Sequence, residues 1–550
     1  MQEPGVRQNR DMDICLRLER LLDFAREHLL LESRDRVVVR HRLYLFLGLE
    51  GFELQTRELQ AQNRNGPVGL AAQAQAQKQE DIYSLTAEIL CWAAEQKLYD
   101  GESITDSDLF LANLLGQLLP LASRLEQRFW QLYRDSPSGA TEFFYRFSTN
   151  AGYIRSDRLA RNFSWDSDSA YGRMEITINL SKPEKDPKTI AAAGRKESSG
   201  YPKCVLCPEN EGYPGHRSWA PRFNHRVIEL ELDGKGFAMQ YSPYLYYPEH
   251  SILLSREHRP MVIDREAFAE LFDFVRRFPH YMAGSNADLP IVGGSILSHH
   301  HFQAGCYEFP MFRAPAMPGV EELQWLRMGA GSTRTEVRAE ILQWPLSCLR
   351  LSSSEISPLL DLGRHVLECW RSYSDESIGI QAHSDAPHNT ITPIVRRTAA
   401  GIYQFFLVLR NNRTDERHPL GLYHPHSEIH HIKKENIGLI EVMGLAILPG
   451  RLKEEMRMME GYLAGSEAER TELRQLAQLQ QHLPWLDGLL DNSESSDSLP
   501  IGLLPTDPAG WKIYIRARIA EVFAEGLSHC GVLKDVAAWS RFLHFCGLTV

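Results

Sequence analysis

Residues 288–305 read Asp288-Leu-Pro-Ile-Val-Gly-Gly-Ser-Ile-Leu-Ser-His-His-His-Phe-Gln-Ala-Gly305. The segment predicts a loop over 288–294 that runs into an extended stretch over 295–303. Side chains in extended backbone alternate between faces, so His299, His301 and Gln303 share one face while His300 and Phe302 take the other. Gly293 and Gly294 permit positive φ and close backbone approach, which suits amides aimed at a phosphate. On this pattern His301 is a candidate nucleophile, with His299 holding it in place and Gln303 binding a phosphoryl oxygen. Three other readings stand beside it on these residues alone. A single histidine could be a satisfied polar residue, the three histidines could form a solvated loop, or the H-x-H pair could hold one metal ion.

Outward from this segment, residues 266–278 have the apolar spacing of an amphipathic helix. Ahead of that helix, Ile228-Glu-Leu-Glu-Leu232 alternates as a strand, and 237–241 and 251–254 are candidate third and fourth strands. A further strand is expected at Glu175-Ile-Thr-Ile-Asn-Leu180. Strands followed by one helix and another strand predict a mostly antiparallel α+β domain. A second strand-rich block starts near Ile378, includes Tyr403-Gln-Phe-Phe-Leu-Val-Leu409 and continues over 422–432. Its size suggests a duplicated domain.

Both ends of the chain read as helical. Leu18, Leu21, Leu22, Ala25 and Leu29 recur at the spacing of one helix face. Leu43, Leu45, Leu47 and Leu49 fit helix or strand and are assigned to helix from their surroundings. Helices are expected over 82–98 and 109–133, with Ser136-Pro-Ser-Gly139 as a hinge. The Ala/Gln-rich stretch 70–79 reads as surface helix or loop. Helix returns from Lys434 onward, a Ser/Asp-rich loop spans 493–500, and 511–545 holds one or two closing helices. The expected divisions are a helical region 1–139, a catalytic domain 140–345, and a second domain with C-terminal helices over 346–550.

The chain has 550 residues, of which 43% are hydrophobic and 24% charged, and a net charge of -11. That negative balance argues against binding nucleic acid or anionic membrane by bulk charge. No apolar run is long enough to span a bilayer, and the charged N-terminus does not read as a secretory signal. Nine cysteines, scattered and odd in number, point to a reducing, cytoplasmic setting. Two of them, in Cys204-Val-Leu-Cys207-Pro, form half of a tetrahedral zinc site. A redox pair or two ordinary cysteines would have the same spacing. His258 and His299 are available to complete a closed Cys2His2 site, which would be structural and would leave His301 free to react.

Five blocks, DLPIVGGSILSHHHFQAG, YPKCVLCPENEG, EITINLSKPEKDP, PHNTITPIVRR and HPHSEIHHIKKENIGLIEVMGLAILP, together resemble the class II galactose-1-phosphate uridylyltransferases. These are UDP-glucose–hexose-1-phosphate uridylyltransferases related to the histidine-triad (HIT) superfamily. The resemblance covers about Phe143 to Leu448 in order and extends less specifically into the helical ends. It implies an α+β fold of two HIT-like, mostly antiparallel sheet domains with helical N- and C-terminal extensions.

Matching positions then imply roles. His301 would become uridylylated, Gln303 would hold the phosphoryl group and Ser295 would hydrogen-bond it. Cys204, Cys207, His258 and His299 would match the zinc ligands. Asn224 is similar to an asparagine that meets the nucleoside, Lys182 and Lys185 stand where phosphate-binding arginines occur, and Lys434 sits like a lysine that reaches the sugar. The expected partners are UDP-glucose and hexose 1-phosphates, with no nucleic acid and no membrane; a homo-oligomer is compatible with the sequence.

The resemblance has departures. His300 replaces the usual Asp, Glu or Asn between the two histidines and adds a competing metal ligand, although it should point away from substrate. Ala304-Gly305 replaces the usual Gly-Gly. His424, His426, His430 and His431 do not match the spacing of the class I second metal site, so a second metal is not assigned. The alternatives are a nucleoside polyphosphate phosphorylase of the same superfamily, which shares H-x-H-x-Q, and a non-catalytic zinc-structured nucleotide-binding protein.

Overall fold

The computed structural model describes residues 4–49, 81–180, 200–293, 296–318, 324–325, 337–491, 505 and 507–549. The expected segments 70–79 and 493–500 lie outside the described residues, as do Lys182, Lys185, Gly294 and Ser295. The chain divides into two compact units. One comprises Met1–Ala160, Glu197–Leu230 and Phe237–Leu245; the other comprises Arg161–Lys196, Glu231–Gly236 and Tyr246–Val550.

The first unit is largely helical: α1 (Pro4–His28), α2 (Arg36–Leu47), α3 (Ile82–Glu95), α4 (Ile104–Gly116), α5 (Ala122–Asp135) and α6 (Pro137–Asn150). The α1 leucine face is fully buried at Leu18, Leu21 and Leu22, as is Leu29 just past the helix end. In α2, Leu43 and Leu47 are buried while Leu45 is 84% exposed. A strand would have put all three on one face, so the exposure pattern follows from the helical period. Buried Glu19 on α1 takes hydrogen bonds from Arg36 (2.8 Å) and Arg40 (2.5 Å) on α2, which ties the two helices by charge.

The expected helix over 109–133 is broken. Pro120 has no N–H to donate and disfavours helical backbone before it, so α4 ends at Gly116 and α5 starts at Ala122. The expected hinge at Ser136 is also different. Ser136 Oγ accepts from the Gly139 amide at 3.0 Å and Pro137 takes the first helical position, making a one-residue junction with a capped start.

The strands are β1 (Phe163–Ser169), β2 (Gly172–Ile178), β3 (Ile228–Leu232), β4 (Lys235–Tyr241), β5 (Ser251–Ser255), β6 (Met282–Gly284), β7 (His301–Gly305), β8 (Gln324–Trp325), β9 (Arg338–Ile341), β10 (Cys348–Ser353), β11 (Asn389–Arg397), β12 (Tyr403–Asn411), β13 (Leu445–Leu448) and β14 (Leu548–Thr549). Nine of them form one sheet in the order β3-β4-β5-β7-β6-β11-β12-β10-β9. The two strand-rich blocks of the sequence therefore meet edge to edge where β6 pairs with β11. From β5 through β7, β6, β11, β12 and β10 to β9, each neighbouring pair in this sheet is antiparallel.

In the second unit, α7 (Arg265–Arg277) and α8 (Ile356–Ser372) pack on each other and on β11. A smaller sheet joins the β1–β2 hairpin to β13, which runs parallel to β2. Its core includes Ile176, Ile178, Phe406, Val408, Ala446 and Phe523. The last residue lies on α11 (Pro508–His529), which follows α9 (Leu452–Ala464) and α10 (Leu483–Asp491) and precedes α12 (Val536–Phe545).

Three expectations for this unit change. The segment 296–300 is not strand, so the extended run begins at His301. Residues 422–432 form no strand; the Pro425 carbonyl bonds to the rings of His424 and His430, and Ser427–Ile429 makes a short 3-10 turn. The helix expected from Lys434 is interrupted by β13, an apolar run that finds β2 as its partner. Among the described residues, no helix is long and apolar enough to cross a membrane.

Candidate active site and metal centre

His301 opens β7, where the antiparallel register sets it opposite Leu254 and sets Gln303 opposite Ile252 on one side and Gly284 on the other. His301 is 7% exposed, and its Nδ1 lies 2.7 Å from the His299 carbonyl. That oxygen can only accept, so Nδ1 carries the proton and Nε2 keeps the lone pair. Burial pushes the imidazolium down to about 4, against the His299 carbonyl bond, which acts in the other direction. The ring is therefore neutral at pH 7. A neutral imidazole with a fixed tautomer can attack an electrophile through Nε2.

The glycine loop before it is anchored at one end. Asp288 accepts from the Ile263 amide at 2.9 Å and from Thr390 Oγ1 at the head of β11 at 2.5 Å, while Asn412 Nδ2 donates to the Pro290 carbonyl at 3.3 Å. The PHNTIT motif thus holds the loop that leads to the histidines. Of the two freedoms a glycine permits, Gly293 does not use positive φ; Ile291 has one, at 76°. Gly293 is required for close approach instead, because a Cβ there would lie 2.6 Å from the Ala287 carbonyl oxygen.

His300 turns away from His301, as alternation requires. Its Nε2 is 2.8 Å from Glu270 on α7, and both side chains are buried. Glu270 also takes bonds from Lys235 and Arg259, each at 3.1 Å. The expected competing metal ligand is therefore committed to a buried charge cluster. At the other departure, Gly305 keeps the tight approach: a Cβ there would meet the Tyr247 ring at 2.5 Å, while the Ala304 carbonyl accepts from Tyr247 Oη and Ser251 Oγ, both at 3.1 Å.

Cys204, Cys207, His258 and His299 form a group whose ligand atoms all lie within 4.8 Å of one another. The sulfurs are 3.6 Å apart. Two thiolates at about 2.3 Å from a tetrahedral ion would be separated by about 3.8 Å, so the spacing fits a metal. His299 Nε2 donates to the Ser255 carbonyl at 2.7 Å, leaving Nδ1 for an ion; this outer bond fixes the ring as metal-bound histidines are commonly fixed. Burial, reinforced by the neighbouring Cys207, pushes the Cys204 thiol up to about 11, so an ionised pair requires a cation. The group is a candidate metal centre.

Motif reading alone missed the role of Asn210, the last residue of Cys207-Pro-Glu-Asn210. Its Nδ2 donates to both cysteine carbonyls at 2.8 Å, and its Oδ1 accepts from Trp219 Nε1 at 2.9 Å. Asn224 is 5% exposed and donates to the Ala151 carbonyl at 2.9 Å. Lys434 is exposed, whereas its neighbour Lys433 is buried against Glu441 at 2.6 Å.

The four later histidines do separate jobs. His424 lies between the Pro425 carbonyl and Asn436, and His430 bonds the Pro425 carbonyl. His431 pairs with His482 at 2.9 Å, which in turn meets Glu455 at 3.1 Å. His426, Glu428 and His529 do lie within ligand distance of one another. However, His529 Nδ1 accepts the His426 amide at 3.3 Å, so in the neutral ring the nitrogen facing Glu428 carries the proton. That nitrogen lies 3.7 Å from the Glu428 carboxylate, beyond hydrogen-bond reach, and no metal is assigned to this group.

A buried neutral imidazole with one nitrogen held by a carbonyl and the other free to attack suits a group-transfer enzyme as a class. Family comparison narrows this. Residues 31–260 match the galactose-1-phosphate uridyl transferase N-terminal domain, and residues 273–483 match its C-terminal domain. The chain belongs to the galactose-1-phosphate uridylyltransferase family. It is 42% identical over 98% of its length to the galactose-1-phosphate uridylyltransferase of Bacillus subtilis (strain 168), covering 98% of that protein. It is 43% identical over 96% of its length to that of Halalkalibacterium halodurans, again covering 98% of the relative. A crystal structure of yeast Ap4A phosphorylase Apa2 overlays with a TM-score of 0.29 at 14% identity, covering 60% of this chain and 88% of the other.

Proposed function

We propose that the protein exchanges UMP between UDP-glucose and galactose 1-phosphate by a ping-pong mechanism, working in the cytoplasm. The observation that carries this is the His301 ring, neutral and tied at Nδ1 to the His299 carbonyl, on a strand with Gln303. His301 Nε2 attacks the α-phosphorus of UDP-glucose, and the bond from that phosphorus to the bridging oxygen breaks. Glucose 1-phosphate leaves with the electron pair and a uridylyl-histidine remains. A phosphate oxygen of galactose 1-phosphate then attacks the same phosphorus and restores the imidazole, giving UDP-galactose.

Catalysis is mainly positioning and stabilisation of charge on the phosphoryl oxygens. In this reading Gln303, Ser295 and the amides of Gly293 and Gly294 meet those oxygens, and Lys182 and Lys185 supply positive charge. Asn224 meets the nucleoside and Lys434 the sugar phosphate. Glutamine at 303 cannot donate a catalytic proton, and a sugar phosphate leaving group needs little protonation. Zinc bound by Cys204, Cys207, His258 and His299 would be structural, supplying the charge that keeps both sulfurs ionised.

Isolation of a radiolabelled, acid-labile enzyme adduct after UDP-glucose addition tests the assignment. Label should exchange between glucose 1-phosphate and UDP-glucose, and His301→Ala should abolish both adduct and exchange. An adduct that persists in His301→Ala removes the nucleophile assignment. Phosphorolysis of dinucleoside polyphosphates without exchange would favour the phosphorylase, and tight UDP-sugar binding without exchange a non-catalytic protein.

A further inference from the structure

We infer that His250 is a positioning residue that sets which end of the Gln303 amide faces the phosphoryl group. The inference rests on the reading of Gln303 as a phosphoryl-binding residue. A side-chain amide has two chemically opposite ends, and only the NH2 end can donate to a phosphoryl oxygen. The reverse orientation would aim a carbonyl dipole at a centre gathering negative charge. An enzyme that uses glutamine here needs something to hold the oxygen end away from the substrate.

His250 is placed to do so. It immediately precedes β5, and in the β5–β7 register Ile252 stands opposite Gln303. Alternation along the strand puts His250, Ile252 and Leu254 on one face. The His250 Nε2 lies 3.2 Å from Gln303 Oε1. The ring is 3% exposed and its Nδ1 is buried with no hydrogen-bond partner among the described residues, so Nδ1 is best left as a bare lone pair and the proton placed on Nε2. Nε2–H then donates to Gln303 Oε1, and the Gln303 NH2 group is turned to the other side. Burial pushes the His250 imidazolium down to about 4, so the ring is neutral when the enzyme works.

The packing behind His250 keeps its ring from rotating. It sits 4.6 Å from the Tyr247 ring and 5.5 Å from the Tyr246 ring. Tyr247 is itself fixed, because its hydroxyl donates to the Ala304 carbonyl and its ring occupies the space that a Cβ on Gly305 would need. Gly305, Tyr247, His250 and Gln303 thus form a chain of contacts ending at the candidate phosphoryl site.

A double-mutant cycle on the full-length enzyme tests this. His250→Phe keeps an aromatic ring and removes the donor. It should lower kcat for uridylyl exchange about 10- to 100-fold, the scale of a misplaced or lost transition-state donor, with little change in KM. In a Gln303→Ala background the same change should have almost no further effect. His250→Gln, which keeps an N–H, should recover at least about a tenth of wild-type kcat, and melting temperatures should show that each variant is folded. If Gln303→Ala is itself fully active, the reading of Gln303 fails. If Gln303→Ala is slow but His250→Phe is not, or the His250→Phe defect is equal in both backgrounds, or His250→Gln is as slow as His250→Phe, the positioning inference is overturned while the reading of Gln303 stands.

Discussion

The carbonyl of His299, whose own side chain is a candidate metal ligand, accepts a 2.7 Å bond from His301 Nδ1. The residue that offers its imidazole to the metal group therefore uses its backbone to set the tautomer of the proposed nucleophile. His299 Nε2 is in turn held by the Ser255 carbonyl, so both rings have their orientation imposed by backbone oxygens. Replacing His301 by Ala leaves this frame in place and removes only the attacking nitrogen. The expected outcome is a folded protein, unchanged in melting temperature within a few degrees, whose kcat falls by at least about 10⁴-fold, as for removal of other covalent nucleophiles. Steady-state exchange kinetics and a thermal melt measured side by side check it.

The Cys2His2 group predicts one tightly held zinc per chain, measurable by elemental analysis of the purified protein. Cys207→Ser should bind substantially less metal and melt at a lower temperature, because a structural site contributes its binding energy to folding. Brief treatment with a chelator should leave exchange activity intact if the ion is structural. Immediate and reversible loss of all activity would instead place the metal on the reacting atoms.

Asn210 offers a sharper probe of the same loop. Its Nδ2 serves two cysteine carbonyls at once, and the residue is 4% exposed. Asn210→Ala leaves those oxygens without that donor, at a cost of about 1–3 kcal/mol for a buried polar group. Metal content should fall together with stability. An unchanged denaturation midpoint with full metal content would show that the loop is held by its other contacts.

Much of this arrangement is legible in the sequence because its determinants are local. The H-x-H-x-Q alternation, the Cys204/Cys207 half-site and the α1 leucine face each follow from spacing within a few residues. What escaped was set by partners far along the chain. Leu445–Leu448 is a strand because β2 lies beside it, and nothing in Leu-Ala-Ile-Leu distinguishes that from helix. β1 is nearly all polar, Phe-Ser-Trp-Asp-Ser-Asp-Ser, yet pairs along its whole length with β2. The relation of His250 to Gln303 spans 53 residues and depends on the β5–β7 register, which no spacing rule supplies. The break at Pro120 was readable in principle, since a proline inside a helical pattern is a local stop signal.

The buried cluster around Glu270 separates stability from catalysis. Glu270 is fully buried and meets His300, Lys235 and Arg259, and burial, which alone would raise its pKa, is outweighed by His300 and Lys235, which hold the carboxyl below its ordinary range. Removing Glu270 leaves buried His300 without that hydrogen bond, while Lys235 and Arg259 still reach solvent, at a cost of about 1–3 kcal/mol for the unsatisfied buried group. Glu270→Ala should therefore destabilise the fold by that order, read from urea denaturation. The fraction that remains folded should keep its KM, because His300 and Phe302 face away from Gln303.

Stability should also fall on the acid side through histidines held neutral by burial. His250 is pushed down to about 4 by burial, chiefly, while an unfolded chain takes up that proton near 6.5. Above about pH 7 both states are unprotonated at this ring and it contributes no pH dependence. Between about 6.5 and 4 the unfolded state binds one more proton than the folded state, so unfolding is favoured increasingly as pH falls. For His250 alone the integrated loss is about 3 kcal/mol by pH 4. His280 and His529, also lowered to about 4 chiefly by burial, act in the same direction. Urea midpoints at pH 7.5, 6.0 and 5.0 should decline monotonically, and His250→Gln should make the decline shallower by up to one proton's slope. A wild-type curve that is flat from pH 7.5 to 5.0 would mean that these rings accept protons in the folded state without cost, and His250 could then no longer be counted on to donate to Gln303 from a single neutral tautomer.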